Sequence, residues 1–180
     1  MSQIKVNSIV PVGGLPSGSN GGIIQIKQTV KKDTFSQTIN DGVASNDTGL
    51  NVSITPSVNS SKIRLTGSVV MAMNLDHDGV GIQLFKDGSV LTGAIADASG
   101  NRSRCTSMGF VDNYGGECLT LPFDFLDSPA TTSSITYGIR LMFFSGVSST
   151  TIYMNRATSS GDYIYRPLAI STITAMEIST

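Results

Sequence analysis

Tryptophan is absent from these 180 residues, histidine occurs once, at His77, and cysteine twice, at Cys105 and Cys118. Each scarcity removes a class of chemistry. A single imidazole confines any His-dependent mechanism to one place in the chain, and no G-x-S-x-G elbow exists to present a serine to it. Two cysteines without a C-x-x-C spacing cannot complete a zinc site unless two further ligands join them. Only 14% of residues are charged and the formal net charge is −1, so no basic field is available to hold a nucleic-acid backbone. No apolar run approaches the ~18 residues of a membrane span, so membrane insertion is not expected. The opening MSQIKVNSIVPVGG also lacks the basic head and apolar core of a signal peptide, and the expectation is a chain made in a cytoplasm. Asn46, Asn51 and Asn59 each begin an Asn-x-Ser/Thr sequon. Without a secretory route these read as loop composition, not as glycan acceptors.

Glutamate is scarce as well: Glu117 and Glu177 stand against eleven aspartates. Aspartate suits turns and glutamate suits helices, so the skew predicts many loops and few helices. What the chain has in quantity is Ser, Thr, Asn and Gly, set between short segments that alternate in polarity. In LNVSITP, Leu50, Val52 and Ile54 share one face while Asn51, Ser53 and Thr55 share the other, the period of a half-buried strand. Ile24, Ile26 and Val30 alternate in IIQIKQTVKK, Ile63 and Leu65 in KIRLTGSVVMAM, and Ile135, Tyr137, Ile139 and Leu141 in SSITYGIRLMFF. GIQLFKDG ends in an Asp87-Gly88 turn, with SVLTGAIAD as its expected hairpin mate. RCTSMGFV, the turn DNYGG and ECLTLPFDF read as a second hairpin, and STTIYMNRA as a further strand. In the closing stretch Ile170, Thr172, Thr174 and Met176 alternate with Ser171, Ile173, Ala175 and Glu177. Roughly nine or ten strands with turn chemistry between them predict an all-β, jelly-roll-like β-sandwich.

Residues 1–21 stand apart from this pattern. Ile4, Val6 and Ile9 mark a short extended segment, and PVGGLPSGSNGG follows it with two prolines and five glycines, too little to build a core. The expected organisation is an N-terminal attachment arm and linker over 1–21 and a sandwich body over 22–180. Small and hydroxylated residues recur on the outward strand positions, which suits a surface that meets another copy, and a homotrimer is the expected assembly.

The segments IKVNSIVP, IIQIKQTVKKDTFS, LNVSITPSVNSSKIRL and ISTITAMEIS together resemble a recurrent module of virion proteins from tailed phages, often those of aquatic bacteria and cyanobacteria. The resemblance spans most of residues 1–178 and is weakest over about 75–130. It implies a non-enzymatic trimeric jelly roll on the outside of a particle. The leading form is a short tail fibre, anchored to the tail or baseplate through its arm, assembled in the host cytoplasm and contacting a host cell-surface receptor. The alternative is a capsid decoration or cement protein whose arm stitches capsomers, and a lectin-like binding module is a third.

Candidate chemistry is sparse. Asp76, His77 and Asp78 place two carboxylates and an imidazole in one short loop, a set that suits a hard or transition cation, although adjacent turn residues point apart. Tyr163 and Tyr165, with Arg156 and Arg166, fall around ATSSGDYIYRP, a composition common in recognition loops. The Gly-rich linker lacks the Lys-Ser/Thr of a phosphate loop, and no cofactor is expected. Twelve residues separate the cysteines. A symmetric hairpin about DNYGG holds Cys105 opposite about residue 122 and Cys118 opposite about residue 110, too far apart for an internal bond. A register shift would instead close a loop worth roughly 3 kcal/mol. Free thiols, an internal bridge and a bridge to another virion chain therefore all stay open, with Cys118 at the edge of a Gly-Gly turn the more exposed candidate.

Overall fold

A computed structural model describes residues 22–75, 78–111, 117–146, 148–159 and 161–180. Alternating polarity becomes eleven strands: β1 (Ile23–Lys31), β2 (Phe35–Asn40), β3 (Asn51–Ile54), β4 (Lys62–Met73), β5 (Asp78–Lys86), β6 (Ser89–Val90), β7 (Ser107–Val111), β8 (Leu119–Asp127), β9 (Ile135–Phe144), β10 (Ser149–Met154) and β11 (Ser171–Ile178). They form two antiparallel sheets. One runs β1-β11-β4-β10-β2 with β8 on the free side of β4, and the other runs β3-β9-β5-β6 with β7 also on β5. A single 3-10 turn, Thr92–Ala94, is the one helical element among the described residues. The molecule is a jelly-roll-like sandwich.

Its core forms where the inward residues of the two sheets interdigitate. Ile63, Leu65, Met71, Ile152, Met154 and Ile173 meet Val52, Ile54, Ile82, Leu84, Tyr137, Ile139, Leu141 and Phe143, all buried. Each such side chain contributes up to about 1.5–3 kcal/mol of hydrophobic stabilisation. At Gly67 the Phe123 ring lies against the backbone, and an added Cβ would stand 2.1 Å from the Thr172 carbonyl oxygen; no side chain fits there. Asp87 and Gly88 both take positive φ, 49° and 81°, as a two-residue hairpin turn between right-twisted strands requires.

Three expectations are corrected. The second hairpin does not form: β7 pairs with β5 and β8 pairs with β4, so the chain passes from one sheet to the other there. The two strands still lie side by side where the sandwich closes, since a Cβ on Gly109 would strike Leu119 Cδ2. The mate of β5 is two residues long, because the chain turns into the 3-10 element after Val90. β1 reverses its expected polarity: Ile26, at 57% exposure, and Val30 face solvent. They stand opposite Met176 and Thr172 of β11, while Ile173, Ala175 and Glu177, on the other face of β11, are buried. The arm residues Ile4, Val6 and Ile9 lie outside the described residues.

Polar ties hold the periphery. Glu177 is wholly buried, and its carboxylate accepts from Ser57 N and Ser57 Oγ, both at 2.6 Å, from Ser61 Oγ at 2.7 Å and from Gln25 Nε2 at 2.6 Å. Burial by itself raises the carboxyl pKa, but the donors from Ser57, Gln25 and Ser61 outweigh it and bring it below the ordinary value. At the other end of β11, buried Asn155 donates from Nδ2 to the carbonyls of Lys31 and Asp33, each at 2.9 Å, and Oδ1 accepts from Ser171 Oγ at 2.6 Å. A third tie joins the sheets. Tyr137 Oη donates to Asp127 Oδ2 at 2.6 Å, and Lys86 Nζ reaches the same oxygen at 2.9 Å.

Replacing Glu177 by Ala strands four donors, and urea unfolding should show a loss of about 2–4 kcal/mol. Because the folded pKa lies below the unfolded one, the carboxylate's contribution is complete above about 4.5 and is lost as pH falls through the folded value. The Tm advantage of the wild type over Glu177→Gln should therefore shrink as pH drops below that point. Asn155→Ala should cost about 2–4 kcal/mol, with amide exchange rising first across the β1–β2 junction.

Candidate functional site

The strongest concentration of recognition-type side chains lies on the segment from Met154 to Ser171 that joins β10 to β11. Its base is fixed by backbone. Asn155 takes φ 63°, its N–H donates to Val70 O at 2.9 Å, and its carbonyl accepts from Ala169 N at 3.0 Å. The loop is thus pinched shut at its root. Within it Tyr163 and Tyr165 stack, with ring centroids 5.1 Å apart and planes within 9°. Arg166 N donates to Tyr163 O at 2.9 Å, and the Arg166 guanidinium lies 5.7 Å from the centre of the Tyr165 ring. Tyr163, Tyr165 and Arg166 therefore form one cluster.

Arg156 belongs to a second pairing at the root of the loop. Its guanidinium sits 4.6 Å over the Tyr153 ring and donates to the carbonyls of Ala157 and Thr158, both at 3.1 Å. Arg166 is less fully used: Nε and Nη1 are buried and have no hydrogen-bond partner among the described residues. Such donors are costly to leave unmade, about 1–3 kcal/mol for a buried group. The same loop exposes three aliphatic side chains, Ile164 at 100%, Leu168 at 71% and Ile170. Sequence reasoning had no signal for these three aliphatic residues, because YIYRPLAI reads equally well as the start of the last strand. That strand begins only at Ser171.

The other candidate residues are dispersed. Asp76 and His77 lie outside the described residues, and Asp78 opens β5, half-buried, opposite Val111 of β7. Among the described residues no group of three or more His, Cys, Asp or Glu side chains comes together to hold a metal ion. Cys105 is half-buried just before β7, Cys118 is exposed just before β8, and both are free thiols. Partial burial pushes both thiols above their ordinary pKa, which lowers the thiolate fraction and with it reactivity. Tyr137 is pushed up further, by burial first and then by its bond to Asp127, so its phenol stays protonated and serves as a structural donor. A cavity of about 70 Å³ on the outer face of the second sheet, lined by Asp47, Asn51, Phe85, Thr136 and Arg140, has room for little more than water. Arg140 closes it by lying 4.0 Å over the Phe85 ring.

No family model matches the chain, and no curated protein matches it. Among solved structures it is distantly similar in fold to three from infectious bursal disease virus. In T=1 particles derived from this virus, 98% of the chain aligns with 41% of the solved chain, at 12% identity and a TM-score of 0.45. In the VP2 subviral particle 95% aligns with 43%, at 12% identity and a TM-score of 0.43. In the Gx strain 95% aligns with 43%, at 16% identity and a TM-score of 0.43. The chain spans about two-fifths of the length of those chains.

Proposed function

We propose that this chain is a non-enzymatic structural protein of a virus particle, seated at the capsid surface as a decoration or cement subunit. The observation that carries the reading is the division of its side chains. Glu177, Asn155, Asp127, Tyr137 and Lys86 are spent on ties between strands, while Ile164, Leu168, Tyr163 and Tyr165 stand in solvent. Chemistry is turned inward and contact surface outward, the arrangement of a protein that works by touching others. The resemblance of its opening and closing segments to tailed-phage virion modules supports the same class of role.

A short tail fibre is the second reading, favoured by the stacked tyrosines and Arg166 on one projecting loop, which suit contact with a host surface receptor. In either reading the arm, with Ile4, Val6 and Ile9, is the proposed anchor, and the assembly is a homo-oligomer, for which a trimer is the form expected from composition. Cys105 and Cys118 stay available for a bridge to a neighbouring chain once the particle leaves the reducing cytoplasm.

Quantitative mass spectrometry of purified particles tests the role. A copy number in the hundreds, scaling with the major capsid protein, is the expected result; a few copies per particle would shift the assignment to the tail, and absence from particles would overturn both. Ile164→Asp combined with Leu168→Asp should leave stability within about 0.5 kcal/mol, since both side chains are exposed. The same pair should cut incorporation by about tenfold or more if the loop is a contact.

A further inference from the structure

The register of the first sheet assembles an outer face that the fold leaves uncovered. Residues opposite one another across β1, β11, β4 and β8 read Ile26, Met176, Arg64, Leu126 in one row. The next two rows are Gln28, Thr174, Thr66, Asp124 and Val30, Thr172, Ser68, Pro122. The twelve side chains include one cation and one anion, and these pair with each other: Arg64 Nε donates to Asp124 Oδ1 at 3.0 Å, and Nη2 to Oδ2. Everything else is hydroxyl, amide or apolar, with Ile26, Val30 and Leu126 each at 40% exposure or more. Such a face is atypical of a solvated sheet, which normally carries charge outward.

The inverted strand makes the case stronger. β1 turns Ile26 and Val30 outward and sends Gln25 and Lys31 inward, where Gln25 binds Glu177 and Lys31 is buried beside Asp33. Ile26 and Val30 are held on the outer face, where they stay exposed unless something covers them. Both edges of the face are defined. β8 carries Pro122, which donates no N–H and blunts that edge, whereas β1 is nine residues long and contains no proline.

We infer that the outer face built by Ile26, Val30, Thr66, Thr172, Leu126 and the Arg64–Asp124 pair is a contact between copies of this chain. The occupant is argued from charge. At its centre the face carries one group of each sign, with exposed Lys62 one row further on, so a second copy related by a two-fold axis can set its Asp124 against Arg64 of the first and its Arg64 against Asp124, a contact that makes a dimer and not the trimer expected from composition. A strongly basic partner finds no counterpart. Size agrees: four strands about 4.8 Å apart and some nine residues long give a footprint on the order of 600 Å², near the ~800 Å² per partner of a standard interface. The outer hydroxyls of β2 and β10, where Thr38 and Thr151 bond at 2.9 Å, extend it. This inference rests on the reading of the chain as an assembling structural protein, and it names the surface used.

Charge reversal in the full chain, read by sedimentation velocity, tests it. Within one molecule the exposed pair contributes little, about 0–1 kcal/mol, so circular dichroism and Tm should change little in any variant. The wild type is expected to sediment as an oligomer at micromolar concentration. Arg64→Asp alone and Asp124→Arg alone should each weaken association by about tenfold or more, and the double reversal should recover it. Ile26→Lys should weaken it without rescue. A monomeric wild type would overturn the proposal, and so would an oligomer indifferent to all four variants. Neither result touches the particle copy number, so a wrong face and a wrong role remain distinguishable.

Discussion

A carboxylate without access to water holds one end of the last strand, and much of the sandwich is arranged around keeping it satisfied. Glu177 draws Gln25 from the edge strand β1 and Ser57 and Ser61 from the link between β3 and β4, so it joins both sheets' connections at one point. A buried charge is tolerated only when its lone pairs are filled. Here four donors do so, and their supply explains why the Ser57–Ser61 segment must fold back beneath β11. At the far end of the same strand Ser171 hands its hydroxyl proton to Asn155, which grips the carbonyls of Lys31 and Asp33. β11 is thus locked at both ends by groups that are specific in direction, while its middle is held by the nonspecific burial of Ile173 and Ala175.

This double lock accounts for the inverted edge strand. β1 need not bury its own isoleucines to stay in place, because Gln25 and the Lys31 carbonyl anchor its two ends to Glu177 and Asn155. Directional bonds specify register where apolar burial does not. The same economy holds where β8 and β9 meet: Asp127 accepts from Tyr137 and Lys86 together, fixing the two sheets' spacing through a phenol that burial and its carboxylate partner keep protonated. Titratable groups of the kind that do chemistry elsewhere are consumed here in architecture.

How much of this was legible depended on the range over which each feature is encoded. Alternation within seven or eight residues identified the inward faces of β3, β4 and β9 correctly, since Leu50, Val52, Ile54, Ile63, Leu65 and Ile135 through Leu141 need only a core on one side. The same rule failed at β1, where position at an edge and ties from distant residues decide the face. It failed again at β7 and β8, where DNYGG offered a hairpin but long-range pairing to β5 and β4 prevailed. Glu177 gave no local sign at all: its partners lie 116 to 152 residues away, and a glutamate in a closing strand reads as an outward residue. Of the candidate site, the residue types Tyr163, Tyr165 and Arg166 were legible and their stacking was not. Ile164, Leu168 and Ile170 passed as strand residues because their exposure depends on the pinch at Asn155.

That pinch links the two surfaces on which function is proposed. The backbone of Asn155 closes the root of the loop, and its side chain binds Ser171 at the loop's far end and the Lys31 carbonyl at the end of β1. Removing Asn155 would free both to collapse inward or to associate indiscriminately, since exposed apolar groups are safe only while their geometry restricts what can cover them. Stability and contact specificity in this chain thus depend on the same small set of hydrogen bonds.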